Sequence, residues 1–196
     1  LRAVVIPSSV KEIGKLALNN TGIRELTIPT SVEKIDYQAY ISRNLQTIAV
    51  EEGNQFYDSR NNCNAISETA SNTLLIVCDN TIIVDGIETI GEYSMVSAQN
   101  MQELHLPSSV IAIINPVFPG VKKITVDEEN PMFDSRDNCN AIIETASNTL
   151  ILGCITTVIP ESVVAIGDQA YSIETERMVI PGNVKIIGNQ AFYNSV

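Results

Sequence analysis

The chain has 196 residues, 44% of them apolar, which is enough for one domain with a core and too apolar for intrinsic disorder. Lys and Arg number 12 against 23 Asp and Glu, and the formal charge of −11 leaves no basic surface for a nucleic-acid backbone or an anionic membrane. One His, no Trp, and six Tyr and four Phe are a thin inventory for acid–base catalysis, stacking pockets or metal cages. No run approaches the ~18 apolar residues of a membrane span, so no membrane insertion is expected.

The chain opens on a segment that recurs. Val4–Gly14 (VVIPSSVKEIG) returns as Leu26–Asp36, Leu104–Ile114, Thr157–Gly167 and Met178–Gly188, with a copy at Thr81–Gly91 that lacks the proline. The apolar residue before the proline, or its counterpart, falls at Ile6, Ile28, Val50, Ile83, Leu106, Val126, Ile159 and Ile180. The steps are 22, 22, 33, 23, 20, 33 and 21 residues, so about eight repeats are present.

Within one unit, Leu26-Thr27-Ile28 alternates as a half-buried strand does, and Pro29 ends it because proline has no N–H for a ladder. Val32, Ile35 and Ala39 then stand three and four apart, the spacing of one side of a short helix. Val10, Ile13 and Ala17, and Val163, Ile166 and Ala170, repeat that spacing. A unit of ~22 residues buries such a stripe only against its neighbours, so the units stack with parallel strands.

The two long steps come from one duplicated segment. CNAISETASNTL at Cys63–Leu74 matches CNAIIETASNTL at Cys139–Leu150 in eleven of twelve positions, at an offset of 76 residues. Apolar residues at Ile66, Leu74 and Ile76 flank Ala70-Ser71-Asn72, a turn composition, and predict a β-hairpin near 56–78 with a copy near 132–154. Departures from a repeat often project from one face and carry recognition, or else form a structural module. A two-residue loop at Ala70-Ser71 places Cys63 opposite Cys78, and Cys139 opposite Cys154, in position for disulfides. A three-residue loop shifts the register and leaves buried free thiols. Both readings are open at this point.

The recurrent pattern Ile28-Pro29, Ser31-Val32, Ile35, Ala39-Tyr40, seen again as Ile159-Pro160, Ser162-Val163, Ile166-Gly167, Ala170-Tyr171, resembles the BspA-like leucine-rich repeat over nearly the whole chain. The segment from Asp134-Ser135-Arg136 to Cys154 is similar to a recurrent feature of such proteins. The resemblance implies an α/β fold: a right-handed solenoid with a parallel β-sheet on one face, short helical segments on the other and two inserted β-hairpins. It also implies a bacterial cell-surface or secreted protein, non-enzymatic, with a role in adhesion to a host, matrix or neighbouring-cell protein. The alternative is a structural spacer with no ligand of its own. Asn115-Pro116-Val117-Phe118 departs from the pattern. A solenoid needs polar caps, and none is evident, so residues 1–196 are expected to be a single solenoid within a longer array, with neighbouring repeats or another chain covering its ends.

Strand alternation points the residue before each marker away from the core: Val5, Thr27, Ala49, Ile82, His105, Thr125, Val158 and Val179. At ~4.8 Å per strand this column spans roughly 34 Å. It is nearly uncharged in an acidic chain, which suits either a ligand-facing strip or ordinary β-propensity.

Other motifs carry less. Zinc is disfavoured because no CxxC spacing exists and His105 lies far along the chain from each cysteine pair. Glu51-Glu52 and Asp127-Glu128-Glu129 lead into Asn54 and Asn130 without a calcium-loop pattern. Asp58-Ser59-Arg60 and Asp134-Ser135-Arg136 hold a hydroxyl beside charges but no base, and an Asp–Arg brace is the better account. No catalytic residue, metal or cofactor is expected.

Overall fold

The computed structural model describes residues 1–36, 42, 44–115, 120–171 and 177–193. In chain order, β1 (Glu12–Ile13) is followed by β2 (Glu25–Ile28), β3 (Lys34–Ile35) and β4 (Thr47–Val50). Next come β5 (Tyr57–Asp58), β6 (Ala65–Glu68), β7 (Thr73–Val77), β8 (Thr89–Ile90), β9 (Glu103–Leu106), β10 (Ala112–Ile113) and β11 (Lys123–Val126). The same run returns as β12 (Phe133–Asp134), β13 (Ala141–Glu144) and β14 (Thr149–Gly153), and the chain continues through β15 (Ala165–Ile166) and β16 (Ile186–Ile187).

The chain winds through about eight turns of a β-solenoid with two walls. In the outer wall β2 pairs with β4 and β9 with β11, both parallel and in register. Glu25-Leu26-Thr27-Ile28 alternates exposed and buried, and the strand stops at Pro29, as its missing N–H requires. The second wall holds the short strands β1 and β3, then two five-stranded sheets ordered β10-β8-β7-β6-β5 and β12-β13-β14-β15-β16.

The expected helical segments are absent from the described residues, where only 3-10 turns at Arg60–Asn62 and Arg136–Asn138 depart from strand and turn. Val32 closes a tight turn by donating its N–H to Pro29 O at 3.2 Å, and Ile35 then lies in β3. Val10 and Val163 donate in the same way to Pro7 and Pro160, and Ile13 and Ile166 lie in β1 and β15. A spacing of three across a turn into a strand brings two apolar residues to one side as a helix would, and the β-branched choice at both favours the extended form. Ala39-Tyr40 and Pro116-Val117-Phe118 lie outside the described residues.

The duplicated segment runs through the interior. β6 and β7 pair antiparallel, and β7 also pairs parallel with β8, so the segment belongs to the second wall. Its two faces serve different cores. Ile66, Ile76 and Cys78 pack with Ile23, Leu26 and Ile48, while Cys63, Ala65, Leu74 and Val77 pack with Ile90, Met101 and Leu104. In the second copy Ile142, Leu152 and Cys154 face that middle core, and Cys139, Ala141, Ile143 and Leu150 face a third with Val163 and Ile166. Each antiparallel pair is thus a partition buried on both sides, which is why Leu74-Leu75-Ile76-Val77 reads as a continuous apolar run. The expected projection from one face does not occur.

The partitions also settle the cysteines. Glu68 pairs with Thr73 and Ser67 with Leu74, the register a Cys63–Cys78 bridge needs, but a bulge then matches Ile66 with Ile76 and Ala65 with Val77. Asn64 therefore meets Cys78, with Asn64 Nδ2 at 3.1 Å from its Sγ. The same shift occurs between Ile142 and Ile143. Cys63, Cys78, Cys139 and Cys154 are free and buried, so the disulfide reading is replaced by that of packed thiols.

Candidate interaction surface

Outer-wall strands carry four of the eight column residues, Thr27 in β2, Ala49 in β4, His105 in β9 and Thr125 in β11, whereas Val5, Ile82, Val158 and Val179 lie outside any strand. Thr27 pairs with Ala49, and His105 with Thr125. Val5, Ile82, Val158 and Val179 are between 67% and 90% exposed, Thr27 and His105 are exposed, and Ala49 and Thr125 are half-buried. The column is broken twice, because Asn64 intervenes after Ala49, and Asn140 after Thr125. It consists of three stretches, Val5-Thr27-Ala49, Ile82-His105-Thr125 and Val158-Val179, and with the two interposed residues it covers roughly 43 Å at the usual strand spacing.

At each break an asparagine side chain stands in for a strand. Asn64 Oδ1 accepts the Ile48 N–H at 2.6 Å and its Nδ2 donates to Gln46 O at 3.0 Å, as a neighbouring peptide unit would. On the far side Ile82 N–H donates to Cys63 O at 3.0 Å. Asn140 repeats this with Ile124 N–H at 2.5 Å and Lys122 O at 3.2 Å, and Val158 N–H donates to Cys139 O. Asn64 and Asn140 both have φ of 59°, a left-handed conformation that asparagine tolerates. Asn61, Asn62, Asp137 and Asn138 are left-handed too. These residues were not singled out from the sequence. The signal was there in Arg60-Asn61-Asn62-Cys63-Asn64 and its copy, runs of the residue types that accept positive φ.

Part of the charge on this face is paired. Lys123 bonds Glu103, and His105 sits between Thr125 Oγ1 at 3.0 Å and Asp127 Oδ1 at 3.3 Å. Asp127 also accepts the Ser108 N–H, and Glu51 the Thr30 N–H, so these acids cap turns. Asn54 uses both ends of its amide, donating to Pro29 O and Val32 O and accepting from Phe56 and Tyr57 N–H. Asn130 does the same one block later. Among the described residues no three His, Cys, Asp or Glu gather at metal-ligand range.

The Asp–Arg pairs brace the partitions. Arg60 grips Asp58 with Nε and Nη2, each at 2.8 Å, and its Nη1 reaches Asn72 Oδ1 and Gly86 O. Arg136 grips Asp134 and reaches Asn148 in the same manner. Burial pushes the two carboxyls up, yet the hydrogen bonds from the paired arginines more than offset it, and both carboxyls lie below the ordinary aspartate range. Burial raises the thiols of Cys63, Cys78 and Cys139, which makes them poor nucleophiles.

Comparison with known proteins follows from this geometry. A family model described as the BspA type leucine rich repeat region matches six copies over residues 1–75, 77–139 and 150–196. The solved structure of the pneumococcal vaccine antigen PcpA is similar with a TM-score of 0.57 and 18% identity, over 95% of this chain and 54% of that one. A leucine rich cell surface protein from Faecalibacterium prausnitzii A2-165 is similar with a TM-score of 0.55 and 18% identity, over 100% of this chain and 55% of that one. The chain spans about half the length of these structures, and at such identity the likeness concerns the fold. No curated protein matches. Among the described residues no helix is long and apolar enough to cross a membrane.

Proposed function

The chain belongs to the BspA-type leucine-rich-repeat family, and from that premise we propose that it is a non-enzymatic binding module of a bacterial cell-surface or secreted protein, adhering to a protein partner through the outer wall. The observation that carries this reading is the exposure of Val5, Ile82, Val158 and Val179 on one face of a chain whose net charge is −11. Exposed aliphatic side chains gain by covering. The description of one structural neighbour as a cell surface protein supports the location.

Neighbouring repeats or another chain are proposed partners of the last coil, where Ile186 is 63% and Ile187 53% exposed although their counterparts Ala165 and Ile166 are 9% and 1% exposed. A structural spacer is the second reading, favoured by the two buried partitions, which stiffen the array and leave recognition to the outer wall or to other segments. A binding screen of the chain against extracellular-matrix and cell-surface proteins decides between them. The binding reading expects at least one partner whose affinity falls about tenfold or more on Ile82→Lys with Val158→Lys, as loss of two buried aliphatic contacts would produce. Binding that ignores both changes, or no binding at all, returns the spacer.

A further inference from the structure

The sheet breaks leave strand edges incompletely used. Lys123 and Asp127 N–H donate toward β9, to Gln102 O at 3.1 Å and Leu106 O at 3.0 Å. By alternation, Ile124 and Val126 turn their N–H and C=O to the opposite edge of β11. Asn140 is one side chain long and satisfies only the first half of that edge, taking the Ile124 N–H. Among the described residues the Val126 N–H meets no acceptor on that edge. β4 is built alike: Thr47 and Glu51 donate to Arg24 O and Ile28 O, Asn64 takes the Ile48 N–H, and Val50 is left in the position of Val126.

Beside the free half of β11 lies an open cleft of about 460 Å³. Lys123 and Thr125 line it on the strand side, Thr156 is on the wall of the next coil, and Ser135 and Asn138 are also lining residues, with Glu128 from the turn after β11. An unpaired strand edge facing an open cleft is the arrangement that accepts an added strand. We propose that this cleft is a docking site for an extended polypeptide segment of a partner protein, which pairs its backbone with Ile124 C=O and Val126 N–H. Hydroxyl and amide side chains line the cleft with one lysine and one glutamate of opposite charge, and it holds no aromatic or apolar side-chain pocket beyond the strand itself, so the segment is an uncharged one of small polar residues, Ser- and Thr-rich. The site at β4 has the same edge, four strand steps or roughly 19 Å away along the wall. The inference rests on the reading of the chain as a protein-interaction module but uses backbone atoms that the aliphatic column does not.

The test is amide-resolved NMR of the full chain. In the free protein the Val126 and Val50 amides exchange about tenfold or more faster than those of Ile124 and Ile48, whose N–H groups are taken. A capped Thr-Ser-Thr-Ser-Thr-Ser peptide then shifts and protects Val126, and the same peptide N-methylated at alternate residues does not. Val126→Pro, which removes the edge donor and no bond to β9, abolishes the response. Ile82→Lys with Val158→Lys leaves it intact, so failure of the cleft and failure of the aliphatic face are read separately. Equal protection of Val126 and Ile124 in the free chain overturns the proposal, as does a peptide response indifferent to N-methylation. Protection that appears with protein concentration alone assigns the edge to a second copy and overturns it too.

Discussion

Gly153 lies directly against the ring of Tyr171: a Cβ built on the glycine stands 2.1 Å from Tyr171 Cε1. One block earlier the same two positions hold Val77 and Met95, both buried in the middle core. The side chain missing from the strand in one copy is restored by the larger partner in the next turn. Gly153→Val alone therefore overpacks the third core, with an expected loss of about 1–3 kcal/mol or more in urea unfolding. Combined with Tyr171→Met the loss shrinks, and the double-mutant cycle shows a coupling of about 0.5–3 kcal/mol. Additive losses would show that the exchange is not compensation.

Asn64→Gly keeps the left-handed backbone at ease while removing the amide that bridges Gln46 and Ile48. An expected destabilisation of about 1–3 kcal/mol, seen as a lower denaturant midpoint, isolates the amide from the backbone requirement. Unchanged stability would mean that water serves β4 as well as Asn64 does.

Acid should weaken the chain through Asp58 and Asp134. Their folded-state values lie below the ordinary carboxylate value of about 3.9, so the stabilisation they supply is complete above that pH and is lost as pH falls below it through the folded values. Melting temperature measured from pH 7 downward falls below about pH 4 in the parent. Asp58→Asn with Asp134→Asn melts lower at pH 7 and loses less on acidification. Parallel melting curves for parent and variant would refute the role.

The thiols should be silent until the chain unfolds. Cys63, Cys78, Cys139 and Cys154 are buried and free, so a thiol-reactive dye labels the native chain slowly and all four after denaturation without reductant. Cys78→Ser is well tolerated because the hydroxyl can donate to Gln46 O as the thiol does at 3.3 Å, whereas Cys78→Val loses that bond while Asn64 Nδ2 still serves the carbonyl, and costs about 0.5–1.5 kcal/mol. Fewer than four labelled cysteines in the unfolded chain would indicate a bridge.

Repeat register was legible because proline and alternation act locally: Leu26-Thr27-Ile28-Pro29 states both the strand and its end, although the marker positions Ile6, Ile83, Ile159 and Ile180 lie in no strand. The second strand of each turn was not. Val32 and Ile35 satisfy a helical spacing and a turn-to-strand spacing equally, and it is the pairing of Lys34-Ile35 with Glu12-Ile13 of the preceding turn that separates the two. The cysteine geometry depended on a bulge at Leu75, which leaves no mark of its own within an apolar run. The outward column was readable as single residues, but its interruption by Asn64 and Asn140 depends on contacts between residues 16 apart, which periodicity does not report.

Because each partition gives one face to the core before it and another to the core after it, the natural joint of this molecule recurs every 76 residues rather than every 22. Recombination that excises or copies a whole such block rejoins surfaces that already fit, and lengthens or shortens the protein without redesigning its interior. Removing a single turn would set a partition against the wrong neighbour. Changes in reach among such arrays should therefore come in large, uniform increments.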